Sequence, residues 1–156
     1  MMNPVIQIYN FNRKAGLLDK PYDDFLESSF QIEEALEGFS NTDLAQALWG
    51  SPELPPKAEK HLAREIVAHA MGEGLTDDLA LADVDRLDKA CDAVVFAIGS
   101  MAKLGLNPQQ ITRALNTVMD ANTQKLSMPK DEYGKLTKPS DFQGPEPKLQ
   151  AILDER

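Results

Sequence analysis

DDLALADVDRLDKACDAVVFAIGSMAKLG, residues 77–105, is the longest helical pattern in the chain, and the fold turns on how it is read. At about 100° per residue, Leu87, Ala90, Val94, Ile98 and Met101 form one broad apolar face, and Val84, Val95, Gly99 and Ala102 form much of the opposite one. A helix apolar nearly all round is expected to be buried. Asp88 and Asp92 fall on the second face, one turn apart, where two carboxylates are costly to desolvate without a cation. Arg86 and Lys89 are the basic side chains near enough to bend toward one of them, but neither clearly neutralises both. Paired carboxylates suit a hard divalent ion, Mg²⁺ or Mn²⁺, better than Zn²⁺, because His61 and His69 stand apart on another helix and no Cys or His cluster exists. Cys91 reads as a small core residue.

Helix signals continue on both sides of this stretch, with little strand alternation. PVIQIYNFNRKAGLL, from Pro4, reads as a first helix whose main body ends at Gly16. A second begins near Pro21 and runs through YDDFLESSFQIEEALEGF. Asn41 and Thr42 are positioned to cap a short helix through Trp49, a packing residue, and GSPELPP is a loop. KAEKHLAREIVAHAMG is a third long pattern, closed by Gly72 and Gly74. After Gly105, Asn107 caps a last long helix with Pro108 at its first position, NPQQITRALNTVMDANTQKL. From Ser127 the prolines give a tail with a short helical turn at PKLQAILDE. The pattern predicts an all-α antiparallel bundle over residues 1–126 and a Pro-rich tail over 127–156.

Composition narrows the function classes. Sixteen basic against twenty-five acidic residues leave a net charge of −9, the wrong sign for binding a nucleic-acid polymer by counterion release. A phosphate substrate then needs metal cations to bridge like charges. A single cysteine fits a reducing cytoplasm. The opening MMNPVIQIYN does not read as a secretion signal, and the longest apolar run, AVVFAIG, is too short for a membrane span.

FQIEEALEGF, residues 30–39, repeats the carboxylate anomaly. Phe25, Ile32, Leu36 and Phe39 make one apolar stripe, while Glu33, Glu34 and Glu37 lie on a side that also carries Leu26 and Phe30. A solvated face would not continue into Leu and Phe, so these carboxylates are expected to face a partner helix or a cleft.

EEALEGF, followed by LDKACDAVVFAIGSMAKLGL and DANTQKL, resembles the all-alpha nucleoside triphosphate pyrophosphohydrolases, the MazG-like superfamily that includes dimeric dUTPases and phosphoribosyl-ATP pyrophosphohydrolase. The resemblance spans residues from about 5 to 126 and, more loosely, the tail. It implies a helical dimer or tetramer that holds Mg²⁺ with an ExxE and an ExxD motif and cleaves an NTP or dNTP to the monophosphate and pyrophosphate. Carried over, Glu34 and Glu37 are the ExxE pair, Glu33 orients the attacking water or holds a further metal, and Asp92 is the aspartate of ExxD. The residue three before Asp92 is Lys89 rather than Glu, so Asp88 supplies that carboxylate and the ligand set departs from the family pattern. Asn122 and Lys125 stand like the family's phosphate-contacting pair, and Lys138 in GKLTKPSDFQGPEPKL like a lysine of related tails that fold over the site. Asn12 of the first helix lines the nucleotide pocket by the same resemblance.

Two rival readings stand beside it. A di-iron carboxylate bundle wants Glu-x-x-His pairs, and neither His61 nor His69 has a Glu three residues before it. A non-catalytic helical interaction protein would use the acidic cluster as a binding surface. Broad apolar faces on at least two helices point to a homodimer or homotetramer.

Overall fold

A computed structural model describes residues 2–37, 58–72 and 82–156. The expected short helix from Asn41 to Trp49 and the loop after it lie outside the described residues. The described chain is helical: α1 (Pro4–Lys14), α2 (Asp24–Glu37), α3 (Ala58–Ala70), α4 (Asp83–Lys103), α5 (Pro108–Thr123) and α6 (Glu146–Leu153). Among the described residues strand pairing is limited to one isolated bridge, Lys130 with Leu136. No single described helix is long and apolar enough to cross a membrane.

Local chemistry explains most boundaries. Asn3 caps α1 by accepting from the Val5 N–H at 2.9 Å, and Pro4 occupies a position whose missing N–H costs nothing. The helix stops where Gly16 turns left-handed at φ 64°, a conformation that a Cβ disfavours. The second helix starts later than its proline suggests, because Asp23 Oδ1 accepts from the N–H groups of Phe25 and Leu26 at 2.9 and 3.1 Å and so fixes the first turn at Asp24. Ahead of α5, Asn107 and Gln110 form a reciprocal capping box with both bonds at 2.9 Å. Gly105, at φ 90°, makes the turn out of α4.

The chain divides into two compact units, one of Tyr22–Leu81 and one of Met1–Pro21 with Ala82–Arg156. In the first, α2 packs against α3. Its seam is lined by small and charged residues, with Ser29, Glu33, Ala58, Lys60, Ala63, Arg64 and Val67 buried. In the second, α5 is the central element and contacts α1, α4 and α6. Leu106, Ile111, Ala114 and Ile152 form its core, flanked by Met101, Leu115, Leu149 and Leu153. Each fully buried Leu or Ile stabilises the fold by roughly 1.5–3 kcal/mol, so the tail helix α6, which contributes Ile152, is integral to this unit.

The long helix α4 differs from expectation. It has no buried residue, and Val84, Leu87, Val94, Val95, Phe96 and Ile98 are all exposed, Phe96 by 76%. Its apolar faces therefore have no cover within this unit beyond the contact with α5. Cys91 is likewise exposed rather than a core residue.

Candidate functional site

The three glutamates of α2 divide into two kinds. Glu33 is only 5% exposed, and its Oε2 accepts from Nη1 of Arg64, itself 7% exposed, at 3.1 Å. The same nitrogen donates to the Lys60 carbonyl at 2.7 Å, and the guanidinium stands 5.8 Å from the Phe30 ring centre. A buried carboxylate requires such a partner, because an isolated charge there carries a desolvation cost of several kcal/mol. The partner helix expected opposite these carboxylates is thus α3, reached through Glu33. Glu34 and Glu37, three residues apart, are exposed.

Asp88 and Asp92 lie one turn apart on α4, both exposed. The nearby Arg86 turns away from them, its Nη1 donating to Asp83 at 3.1 Å. Among the described residues no hydrogen bond or ion pair engages Asp88 or Asp92. The two carboxylate pairs belong to different units, Glu34 and Glu37 to one, Asp88 and Asp92 to the other. Among the described residues no three His, Cys, Asp or Glu side chains gather as a metal-holding group. The donor chemistry of each pair nonetheless fits Mg²⁺, which takes hard oxygen ligands and commonly uses one or two carboxylates together with substrate phosphates.

The candidate phosphate contacts converge at the end of α5. Asn122 turns its amide nitrogen toward the Met119 sulfur, 4.0 Å away, and its Oδ1 accepts from Lys125 Nζ at 2.7 Å. Lys125 Nζ stands 5.1 Å from the centre of the Phe142 ring, and Lys138 Nζ stands 5.3 Å from the same centre. The tail is tied down beside them. Gln124 Nε2 donates to the Gln143 carbonyl and the Gln143 N–H donates to Gln124 Oε1, both at 3.0 Å. Between α5 and this contact, a turn stabilised by Asp131 Oδ1, which accepts from the Tyr133 and Lys135 N–H groups at 2.9 and 3.0 Å, reverses the chain through Gly134 at φ 85°. Lys130 Nζ reaches the Gly16 carbonyl at 3.3 Å, joining the tail to the end of α1.

Asn12 sits half-buried in the last turns of α1. Among the described residues its side chain has no hydrogen bond to Asn122, Lys125 or Lys138. An open groove between α5 and α6, lined among others by Arg113, Asn116, Asp120 and Lys148, was not anticipated. Much of its polar lining is already engaged in holding the unit together. Gln7 of α1 donates to Asp120 at 2.8 Å, Asn116 donates to the Met2 carbonyl at 3.1 Å, and Arg113 grips Glu155 through two bonds at 2.7 and 2.5 Å.

Sequence reasoning missed Arg64 and Phe142. A signal existed for the first: Arg64 interrupts the apolar stripe Ala63, Val67 of its helix, and a charge on such a stripe calls for a buried counter-charge. Compared with protein-family models, curated proteins and solved structures, the chain matched nothing.

Proposed function

We propose that this chain is a Mg²⁺-dependent nucleoside triphosphate pyrophosphohydrolase of MazG-like type, converting an NTP or dNTP and water to the monophosphate and pyrophosphate. The observation that supports it most is that Lys125, bonded to its helix neighbour Asn122, and Lys138 of the tail stand over one aromatic ring. The resemblance marks Asn122 and Lys125 as phosphate contacts and Lys138 as a lysine of the tail that folds over the site. In a chain of net charge −9, a local pair of ammonium groups is where a polyphosphate would be received.

Glu34, Glu37, Asp88 and Asp92 are the residues that would hold Mg²⁺, or Mn²⁺ in its place. When bound, the ion supplies neutralisation of phosphate charge and a water of lowered pKa. Asn122 orients the Lys125 ammonium, which donates to phosphate oxygens together with Lys138. Glu33 is tied to Arg64 and holds the register of α2 against α3, so it serves the exposed Glu34 and Glu37 by fixing the helix that carries them. On this reading the bare apolar faces of α4 are the contact through which the chain forms a homodimer or homotetramer.

The same α4 surface favours a second reading, a non-catalytic helical interaction protein. A panel of NTPs and dNTPs with Mg²⁺, Mn²⁺ or EDTA separates the two. Metal-dependent pyrophosphate with matching monophosphate supports the hydrolase. Silence across the panel, from folded protein, supports the interaction protein.

A further inference from the structure

We propose that Phe142 is the positioning residue of a polyphosphate-binding notch, holding the ammonium groups of Lys125 and Lys138 together on its ring. The proposal rests on reading those lysines as phosphate contacts and adds to it the element that assembles them. Both ammonium nitrogens lie within cation–π distance of one ring centre, at 5.1 and 5.3 Å. That places them no more than about 10 Å apart, within reach of neighbouring groups of one polyphosphate chain. Two like charges do not gather in this way without compensation. The negative face of an aromatic ring supplies part of it, and Asn122 Oδ1, which accepts from Lys125 at 2.7 Å, supplies more.

The ring's own placement is determined. Gln124 immediately precedes Lys125, Gln143 immediately follows Phe142, and the paired bonds between those two glutamines lock the strands of chain that carry lysine and ring. A backbone bond from the Phe142 N–H to the Pro139 carbonyl at 3.1 Å shapes the turn between Lys138 and the ring. The alternative is that the lysine stems simply cover a half-buried Phe, which is ordinary packing of long amphipathic side chains. Packing needs an apolar body at residue 142, whereas the notch needs a π face.

The test is calorimetric titration of the full chain with inorganic tripolyphosphate, without divalent metal, comparing the native protein with Phe142→Leu, Phe142→Trp and the pair Lys138→Met and Phe142→Leu/Lys138→Met. The expected results are tripolyphosphate binding by the native chain, a loss of about three- to tenfold in Phe142→Leu, recovery in Phe142→Trp, and little further loss when Lys138→Met is added to Phe142→Leu. A non-hydrolysable nucleoside triphosphate that binds more tightly than tripolyphosphate, with the same loss in Phe142→Leu, identifies a nucleotide as the source of the chain. Tighter binding of the bare inorganic anion identifies free polyphosphate, and either supports the notch. Native affinity in a folded Phe142→Leu protein, or no tripolyphosphate binding by the native chain, overturns it. Pyrophosphate release from NTPs is measured separately, so a hydrolase lacking this notch and a notch without hydrolysis are distinct results.

Discussion

Two ion pairs, Glu33 with Arg64 and Arg113 with Glu155, each join segments far apart in sequence, by 31 and 42 residues, and differ in what surrounds them. The first is almost wholly buried in the seam between α2 and α3. The second lies in solvent, where Arg113 of α5 meets Glu155 just past α6. Geometry alone would rank the second higher, since it is bidentate and shorter, at 2.7 and 2.5 Å against a single bond of 3.1 Å. Burial reverses the order, because removing one partner of a buried pair leaves a charge that water cannot reach, whereas an exposed partner is resolvated at once. The lesson carries to the candidate site: of three neighbouring glutamates on α2, Glu33 is buried against Arg64, whereas Glu34 and Glu37 are exposed.

The largest effect expected is from Arg64→Ala, which removes a buried partner of Glu33 and should cost about 3–5 kcal/mol in urea or thermal unfolding. A loss below about 1 kcal/mol would mean that the seam is wetter than its burial indicates. Sharper still is the double change Glu33→Leu with Arg64→Met, which removes both charges and keeps the volume. It should recover most of the stability lost in Arg64→Ala.

At the other pair, Glu155→Gln should move the melting temperature far less than Arg64→Ala does, and that small shift should vanish at high salt. The hydrogen bond from Arg113 lowers the Glu155 carboxyl below its ordinary value, and the Glu155 bond raises Arg113. A depressed carboxyl contributes its stability above its unfolded value and loses it as pH falls through the lower, folded value. The native chain and Glu155→Gln should therefore differ slightly in stability at neutral pH and converge in acid, below the ordinary carboxylate range. A difference that grows on acidification contradicts this account.

Legibility in the sequence followed the range of the interaction. The Asn107–Pro108 start of α5 and the ends at Gly16 and Gly105 are local, and the structure has them where the sequence places them. The start of α2 was displaced because Asp23, three residues before Leu26, outcompetes Pro21 as the organising residue. For α4 the periodicity was readable and the burial was not: an apolar face states that it seeks cover, and the sequence does not say whether its own chain supplies it. The candidate site shows the same division. Asn122 and Lys125 share a helix end and could be paired by spacing, while Phe142 acts only through a tail folded back by the Gln124–Gln143 bonds, which no local pattern encodes. Asp88 and Asp92 were legible as a pair because they sit one turn apart, but their relation to Glu34 and Glu37 belongs to tertiary structure.

The central claim is tested most directly by following pyrophosphate and orthophosphate together as the full chain acts on a dNTP panel with Mg²⁺, alongside Glu37→Gln and Asp92→Asn. The account predicts pyrophosphate in one-to-one ratio with monophosphate, no orthophosphate, abolition by EDTA, and turnover lost in both variants with their helical spectra unchanged. Native turnover in either variant would remove that residue from the mechanism, and orthophosphate as the product, or activity that persists in EDTA, would contradict the proposed reaction itself.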